Sequence, residues 1–252
     1  MSILSAENLG IDFGGLTAVN NFNFEINNNE IVGLIGPNGA GKTTVFNMLT
    51  KVYEPTRGKI YLDGKDINKM STIDINKAGI ARTFQNIRLF SNISVLDNVK
   101  VAMNNLYDYS LFDSLFRTKK FKAAEKDIED KAFELLKIFN LDEFTNLNAS
   151  SLPYGAQRRL EIARALATNP KVLLLDEPAA GMNPQETDEL MQTIKFVRDK
   201  FNICVLLIEH DMSLVMNICE RIYVLNYGTL LAKGSPDEIK NNQEVIKAYL
   251  GA

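Results

Sequence analysis

The sequence predicts an α/β fold built around a largely parallel sheet and interrupted by an inserted helical block. Three observations predict it. In the last third, Val172–Leu175, Val205–Ile208 and Ile222–Leu225 are short, continuous apolar runs, as in strands buried on both faces. Helical segments near Pro184–Lys200 and Met212–Cys219 separate them, and strand–helix–strand alternation implies right-handed crossovers between parallel strands. From about Val95 to Asn140, by contrast, Phe121, Ala124, Ile128, Ala132, Leu135 and Phe139 recur at helical spacing with charges between them. That is the pattern of an amphipathic surface helix.

The first third reads mostly as strands. Phe22, Phe24 and Ile26 alternate with Asn21, Asn23 and Glu25, a half-buried strand pattern. Asn27-Asn28-Asn29 is a turn, and Ile31-Val32-Gly33-Leu34-Ile35 is a second, wholly apolar strand. A helix begins over Val45–Leu49. Ile60-Tyr61-Leu62 closes on Asp63-Gly64 before Lys65-Asp66-Ile67, and Ile80–Phe84 is a further short strand. The chain holds no internal repeat. It divides into a sheet-bearing core, about 1–87 and 165–252, and a helical subdomain, about 88–164, within one domain of 252 residues.

Composition narrows the function classes. Hydrophobic residues make up 46% and charged residues 23%, ordinary values for a globular chain. A net charge of −3 argues against nucleic acid as a partner, since phosphate-backbone binding shows as a basic excess. Cys204 and Cys219 sit in apolar segments and read as reduced core residues. No stretch approaches the roughly 20 apolar residues that span a bilayer, and the N-terminus lacks a signal-peptide core. A membrane role must therefore come through a partner.

Gly36-Pro37-Asn38-Gly39-Ala40-Gly41-Lys42-Thr43-Thr44 fits the phosphate-loop pattern G-x-x-x-x-G-K-[ST]. Glycines there let the backbone turn tightly and aim N–H groups at a polyanion. The following helix adds the positive end of its dipole, roughly half an elementary charge. Lys42 is expected to reach the β- and γ-phosphates, and Thr43 to place its hydroxyl on Mg²⁺. A glycine-rich turn with a stray lysine is the plainer alternative, and the apolar strand before it and the helix after it weigh against that.

Val172-Leu173-Leu174-Leu175-Asp176-Glu177 puts two carboxylates at the end of a buried strand. Asp176 is expected to hold Mg²⁺, a hard ion that prefers oxygen, and Glu177 to polarise an attacking water as general base. His210, the sole histidine, follows Val205-Leu206-Leu207-Ile208-Glu209. Ligands of open α/β sheets bind at the carboxyl ends of strands, so an imidazole there is placed to contact the γ-phosphate and orient the water. A lone histidine is more often structural; its shared placement with Asp176 shifts the balance. Between Leu152 and Leu166 a Pro- and Gly-containing turn opens a helix, whose N-terminal N–H groups form another anion site or an ordinary helix start.

Together these segments resemble the ATP-binding cassette (ABC) ATPases, in that family's order and over essentially the whole chain. The resemblance implies the P-loop NTPase cassette fold, with an antiparallel β subdomain beside the parallel core. It implies ATP and Mg²⁺ as cofactors. Gly36–Thr44 looks like the Walker A loop, Asp176 and Glu177 like Walker B and its catalytic glutamate, and His210 like the switch histidine. Gln85, in Thr83-Phe84-Gln85-Asn86, looks like the Q-loop glutamine that contacts metal and water. Phe13 looks like the aromatic that stacks on adenine. Leu152–Ala156 occupies the place of the signature segment but carries Pro153 for serine and Ala156 for glutamine, leaving backbone N–H groups near Tyr154 and Gly155 to hold phosphate. Asn183 replaces the usual D-loop aspartate.

These departures, with the helical insertion around Leu111–Asp130, are similar to the LivG-type subunits of branched-chain amino acid importers. That likeness implies a second ATPase subunit, homologous or identical, and two integral-membrane permease subunits. It also implies an external solute-binding protein reached indirectly, and a peripheral position on the cytoplasmic face of the cell membrane. Arg88, Leu89 and Phe90 are expected in the groove that meets the permease. Urea or amide importers, lipopolysaccharide-export ATPases and, further off, a soluble cassette ATPase outside transport stay open as alternatives.

Overall fold

The computed structural model describes residues 2–107 and 109–250. The chain forms two compact units, Asn86–Pro170 and the remainder on either side of it.

The larger unit carries both sheets. In the first, β1 (Ser2–Phe13) pairs antiparallel with β2 (Leu16–Asn27) and with β4 (Arg57–Leu62), and β5 (Lys65–Asp66) closes the edge. The second has the order β10-β9-β3-β8-β7-β6. In it β3 (Ile31–Ile35), β6 (Ile80–Arg82), β7 (Val172–Asp176), β8 (Cys204–Ile208) and β9 (Arg221–Asn226) run parallel, and β10 (Thr229–Gly234) is antiparallel to β9. Every residue of β3, β7 and β8 is buried, which explains why their apolar runs do not alternate: both faces are covered. Each fully buried leucine or isoleucine contributes about 1.5–3 kcal/mol relative to exposure.

Helices α1 (Lys42–Leu49), α2 (Thr72–Ala78), α7 (Pro184–Phe201), α8 (Met212–Ile218), α9 (Pro236–Lys240) and α10 (Gln243–Leu250) belong to this unit. Pro184 opens α7 at a position where no N–H is missed. Asn183 is its N-cap: the side chain accepts from the Glu186 N–H at 3.0 Å, and Glu186 accepts from the Asn183 N–H at 2.9 Å. The residue at the expected D-loop position thus has a local task, a capping box contributing about 1 kcal/mol. Cys204 and Cys219 are free and buried, and burial pushes the Cys204 thiol up to about 12, so it stays protonated.

The second unit is helical: α3 (Val95–Met103), α4 (Leu111–Leu115), α5 (Lys119–Ile138) and α6 (Tyr154–Leu166). Ile128, Ala132 and Leu136 of α5 are buried, as are Val95 and Val99 of α3 and Leu160 and Ala163 of α6. Among the described residues, the uniform periodicity read over 95–140 resolves into three α-helices and a 3-10 turn, Asn104–Leu106. Ser110 and Thr118 each cap a fresh start, because their side chains offer the free N–H groups an acceptor that mid-helix geometry does not. Among the described residues no helix is long and apolar enough to cross a membrane.

Candidate active site

The site lies where the parallel strands of the larger unit end. β3 runs into the Gly36–Gly41 loop, and α1 begins at Lys42. Two glycines are required by geometry. Gly36 has φ +152° and a Cβ there would lie 2.0 Å from the Leu225 carbonyl oxygen; Gly41 has φ +103° and a Cβ would lie 2.9 Å from that of Ala18. A side chain at either would push the loop off β9 or β2.

A cavity of about 510 Å³ opens over this loop, lined by Asn38, Gly39, Ala40, Gly41, Lys42, Thr43 and Thr44, with Glu177 and His210 across it. Gly36 and Pro37 contribute differently: their carbonyls accept from Lys42 Nζ at 2.8 and 3.1 Å. Lys42 is only 7% exposed. Desolvation holds its pKa below the usual lysine value, opposed by the charges of Glu177 and Asp176. A cation so placed gains more from a polyanion than one in water.

The three residues expected to be catalytic converge. Glu177, just past β7, has one carboxylate oxygen 2.8 Å from His210 Nε2, and the other accepts from Gln85 Nε2 at 2.8 Å. In the tautomer that carries its proton on Nε2, His210 is the donor in that contact. Glu177 has φ +48°, a left-handed backbone unusual for a glutamate. Its N–H donates to the Ile208 carbonyl at 2.9 Å, pinning this turn to the end of β8.

Asp176 is buried at the end of β7. Its N–H donates to Thr83 Oγ1 at 3.3 Å, and Oδ2 accepts from Arg82 at 2.7 Å. Thr43 is exposed at the cavity wall. Hydroxyl, carboxylate and the Gln85 amide are hard oxygen donors, which fits Mg²⁺. Among the described residues no group of three or more His, Cys, Asp or Glu could hold a metal alone.

Phe13 stands apart from these residues. It is 43% exposed and packs edge-on to Tyr53 at 5.3 Å, while the apolar wall of the cavity comes from Leu16, Ala18 and Tyr227. Tyr154 and Gly155 open α6 in the other unit. Pro153 occupies the N-cap and no side chain caps that helix, so its first N–H groups keep their affinity for an anion. Arg88 donates its N–H to Glu161 at 3.2 Å, and Arg164 lies 5.4 Å over the half-exposed Phe90 ring.

Residues that the sequence did not single out also shape the site. Glu209 is buried; it accepts from the Ala179 N–H at 2.8 Å and the His210 N–H at 2.9 Å. Burial raises its pKa against those backbone bonds. Tyr227, 89% exposed with φ +44°, stands at the cavity rim. The Tyr-Gly turn between apolar runs was the available signal for it; Glu209 had none beyond its neighbour His210.

Fold and site together define a phosphate-loop ATPase with its machinery gathered at the carboxyl ends of β3, β7 and β8. A family model described as "ABC transporter" matches residues 19–180, and one described as "Branched-chain amino acid ATP-binding cassette transporter" matches residues 229–252. The chain belongs to the ABC transporter family, as one of its ATP-binding cassettes. It is 51% identical over 249 residues to the high-affinity branched-chain amino acid transport ATP-binding protein LivG of Escherichia coli K12, covering 99% of this chain and 98% of that one. Among solved structures, the ADP conformation of the cassette MJ1267 superposes with a TM-score of 0.86 at 30% identity, covering both chains fully. A dimeric post-hydrolysis cassette, MJ0796 with ADP and Pi, does so at 0.78 and 26% identity, over 92% of this chain and 98% of that one.

Proposed function

We propose that this chain is the ATP-hydrolysing subunit of an importer for branched-chain or related hydrophobic amino acids. It pairs with a second ATPase against two permease subunits on the cytoplasmic face of the membrane, an external solute-binding protein delivering the cargo. The observation that carries the chemistry is the grip of Gln85 and His210 on both oxygens of Glu177, beside the Lys42 loop. The likeness to LivG at 51% identity and the match over residues 229–252 support the cargo class.

In this reading Gly36–Thr44 wraps the triphosphate with its N–H groups, and Lys42 moves from the Gly36 and Pro37 carbonyls to the phosphates. Mg²⁺, held by Thr43 and Asp176 with Gln85 close by, would neutralise charge developing on the phosphate oxygens. Glu177 takes the proton of the attacking water, its carboxylate plane fixed by Gln85 and His210. Phe13 or the Leu16–Ala18 wall receives the base. The uncapped N-terminus of α6, at Tyr154 and Gly155, completes the partner's site by binding its γ-phosphate. ATP then favours the closed dimer because it touches both faces, and closure drives transport only to the extent of that preference.

The test is reconstitution with the permease pair and solute-binding protein. Leucine, isoleucine or valine should stimulate ATP turnover, and Lys42→Ala should abolish both ATP binding and stimulation. Stimulation by urea or short amides instead, with none by the branched-chain amino acids, would overturn the cargo assignment. Wild-type ATP affinity in Lys42→Ala would overturn the role of the loop lysine.

A further inference from the structure

We infer that Arg82 is a positioning residue for the metal-holding carboxylate: it clamps Asp176 to the helix that carries Thr43. Arg82 ends β6. One arm of its guanidinium donates to Asp176 Oδ2 at 2.7 Å, and the other donates to Asn47 Oδ1 at 2.6 Å and reaches Thr50 Oγ1 at 3.4 Å. Asn47 belongs to α1, the helix that Lys42 and Thr43 open. The fork therefore joins the end of β7 to the body of α1, the two elements that must present oxygen donors to one ion.

Its own surroundings hold the fork still. The Phe46 ring lies 5.5 Å and the Phe84 ring 5.2 Å from the guanidinium carbon. The side chains of Arg82 and Asp176 are 7% and 4% exposed, so water competes little for the pair. A planar two-armed cation suits this task and an ammonium does not, because a lysine offers one point charge where two separated acceptors must be held at fixed angles. The bond from Arg82 to Oδ2 restrains rotation of the Asp176 carboxylate, and Oδ1 is the oxygen that would be left to a metal. Groups that hydrogen-bond a metal's carboxylate ligand commonly govern its affinity 10–100-fold.

The inference rests on the reading of Thr43 and Asp176 as metal donors, and the experiment separates the two. Mn²⁺ binding is followed by electron paramagnetic resonance on the full chain with a nonhydrolysable ATP analogue, beside metal-free analogue binding in EDTA. Arg82→Met and Arg82→Lys should both weaken Mn²⁺ by about 10–100-fold with metal-free binding within about twofold. Asn47→Ala, which leaves the Asp176 contact and frees the other arm, should weaken Mn²⁺ a few-fold. Full retention in Arg82→Lys would show that charge alone suffices and overturn the clamp. So would a parallel loss of metal-free and metal-bound affinity, the mark of general damage. Asp176→Asn should also lose Mn²⁺. If it does and the Arg82 variants do not, the clamp fails alone; if Asp176→Asn binds as wild type, the metal assignment fails and takes the clamp with it.

Discussion

Two neighbouring strands end almost alike in sequence and quite differently in structure. β7 leads from Val172-Leu173-Leu174-Leu175 into Asp176-Glu177, and β8 from Val205-Leu206-Leu207-Ile208 into Glu209-His210. They pair in parallel with Asp176 opposite Ile208, so two glutamates leave the sheet side by side. Glu177 is turned to the cavity in a left-handed backbone, its oxygens met by Gln85 and His210 side chains. Glu209 is turned inward, buried, its oxygens met by main-chain N–H groups. One carboxylate faces the cavity; the other holds the turns that carry it. Apolar run plus acid is the pattern of a strand end reaching a site, and the division of labour comes from which way each turn folds.

The sharpest break of this contrast is Glu177→Gln. It should keep ATP bound and the dimer closed while turnover falls about 10²–10⁴-fold, the usual range for losing a general base; ordinary turnover in a phosphate-release assay would remove Glu177 from that role. His210→Ala should lower turnover about 10–100-fold through loss of an orienting hydrogen bond, with the melting temperature near wild type. Unchanged hydrolysis would make this histidine purely structural. Glu209→Gln should act more gently, lowering turnover less than tenfold, since an amide oxygen still accepts from Ala179 or His210. A loss as deep as that of Glu177→Gln would erase the distinction.

A pH series sharpens the same point. Burial raises the Glu209 pKa above its unfolded value. Its contribution to stability is therefore full below the ordinary carboxylate range and declines as pH climbs through the raised value, where the folded chain must ionise a buried group. Urea midpoints of wild type should fall relative to Glu209→Gln over that window. Parallel curves would mean that the backbone donors already offset the cost of burial.

Much of this was legible from residues. The unbroken apolar runs identify β3, β7, β8 and β9 because both faces are covered, and the loop motif locates the cavity because its glycines have no substitute at Gly36 and Gly41. β1 was not legible: register shifts between Ala6 and Leu9 and between Leu9 and Ile11 break its alternation. The ends of β6 and β7 meet through Arg82, which from sequence is one arginine among many basic residues. Its partners Asn47 and Asp176 lie far along the chain in either direction, and no local spacing encodes that meeting. Tyr154 and Gly155 were read through a family pattern, since Pro153 and a bare helix start resemble any other turn.

Glu177 sits where the main chain would rather have glycine or asparagine. Swapping in glycine would relax a conformation that costs on the order of 1–3 kcal/mol and, under the proposed mechanism, remove the general base in the same stroke. A screen for heat-resistant variants would therefore be drawn to this position for the wrong reason, and thermal hardiness gained here should come with a dead pump.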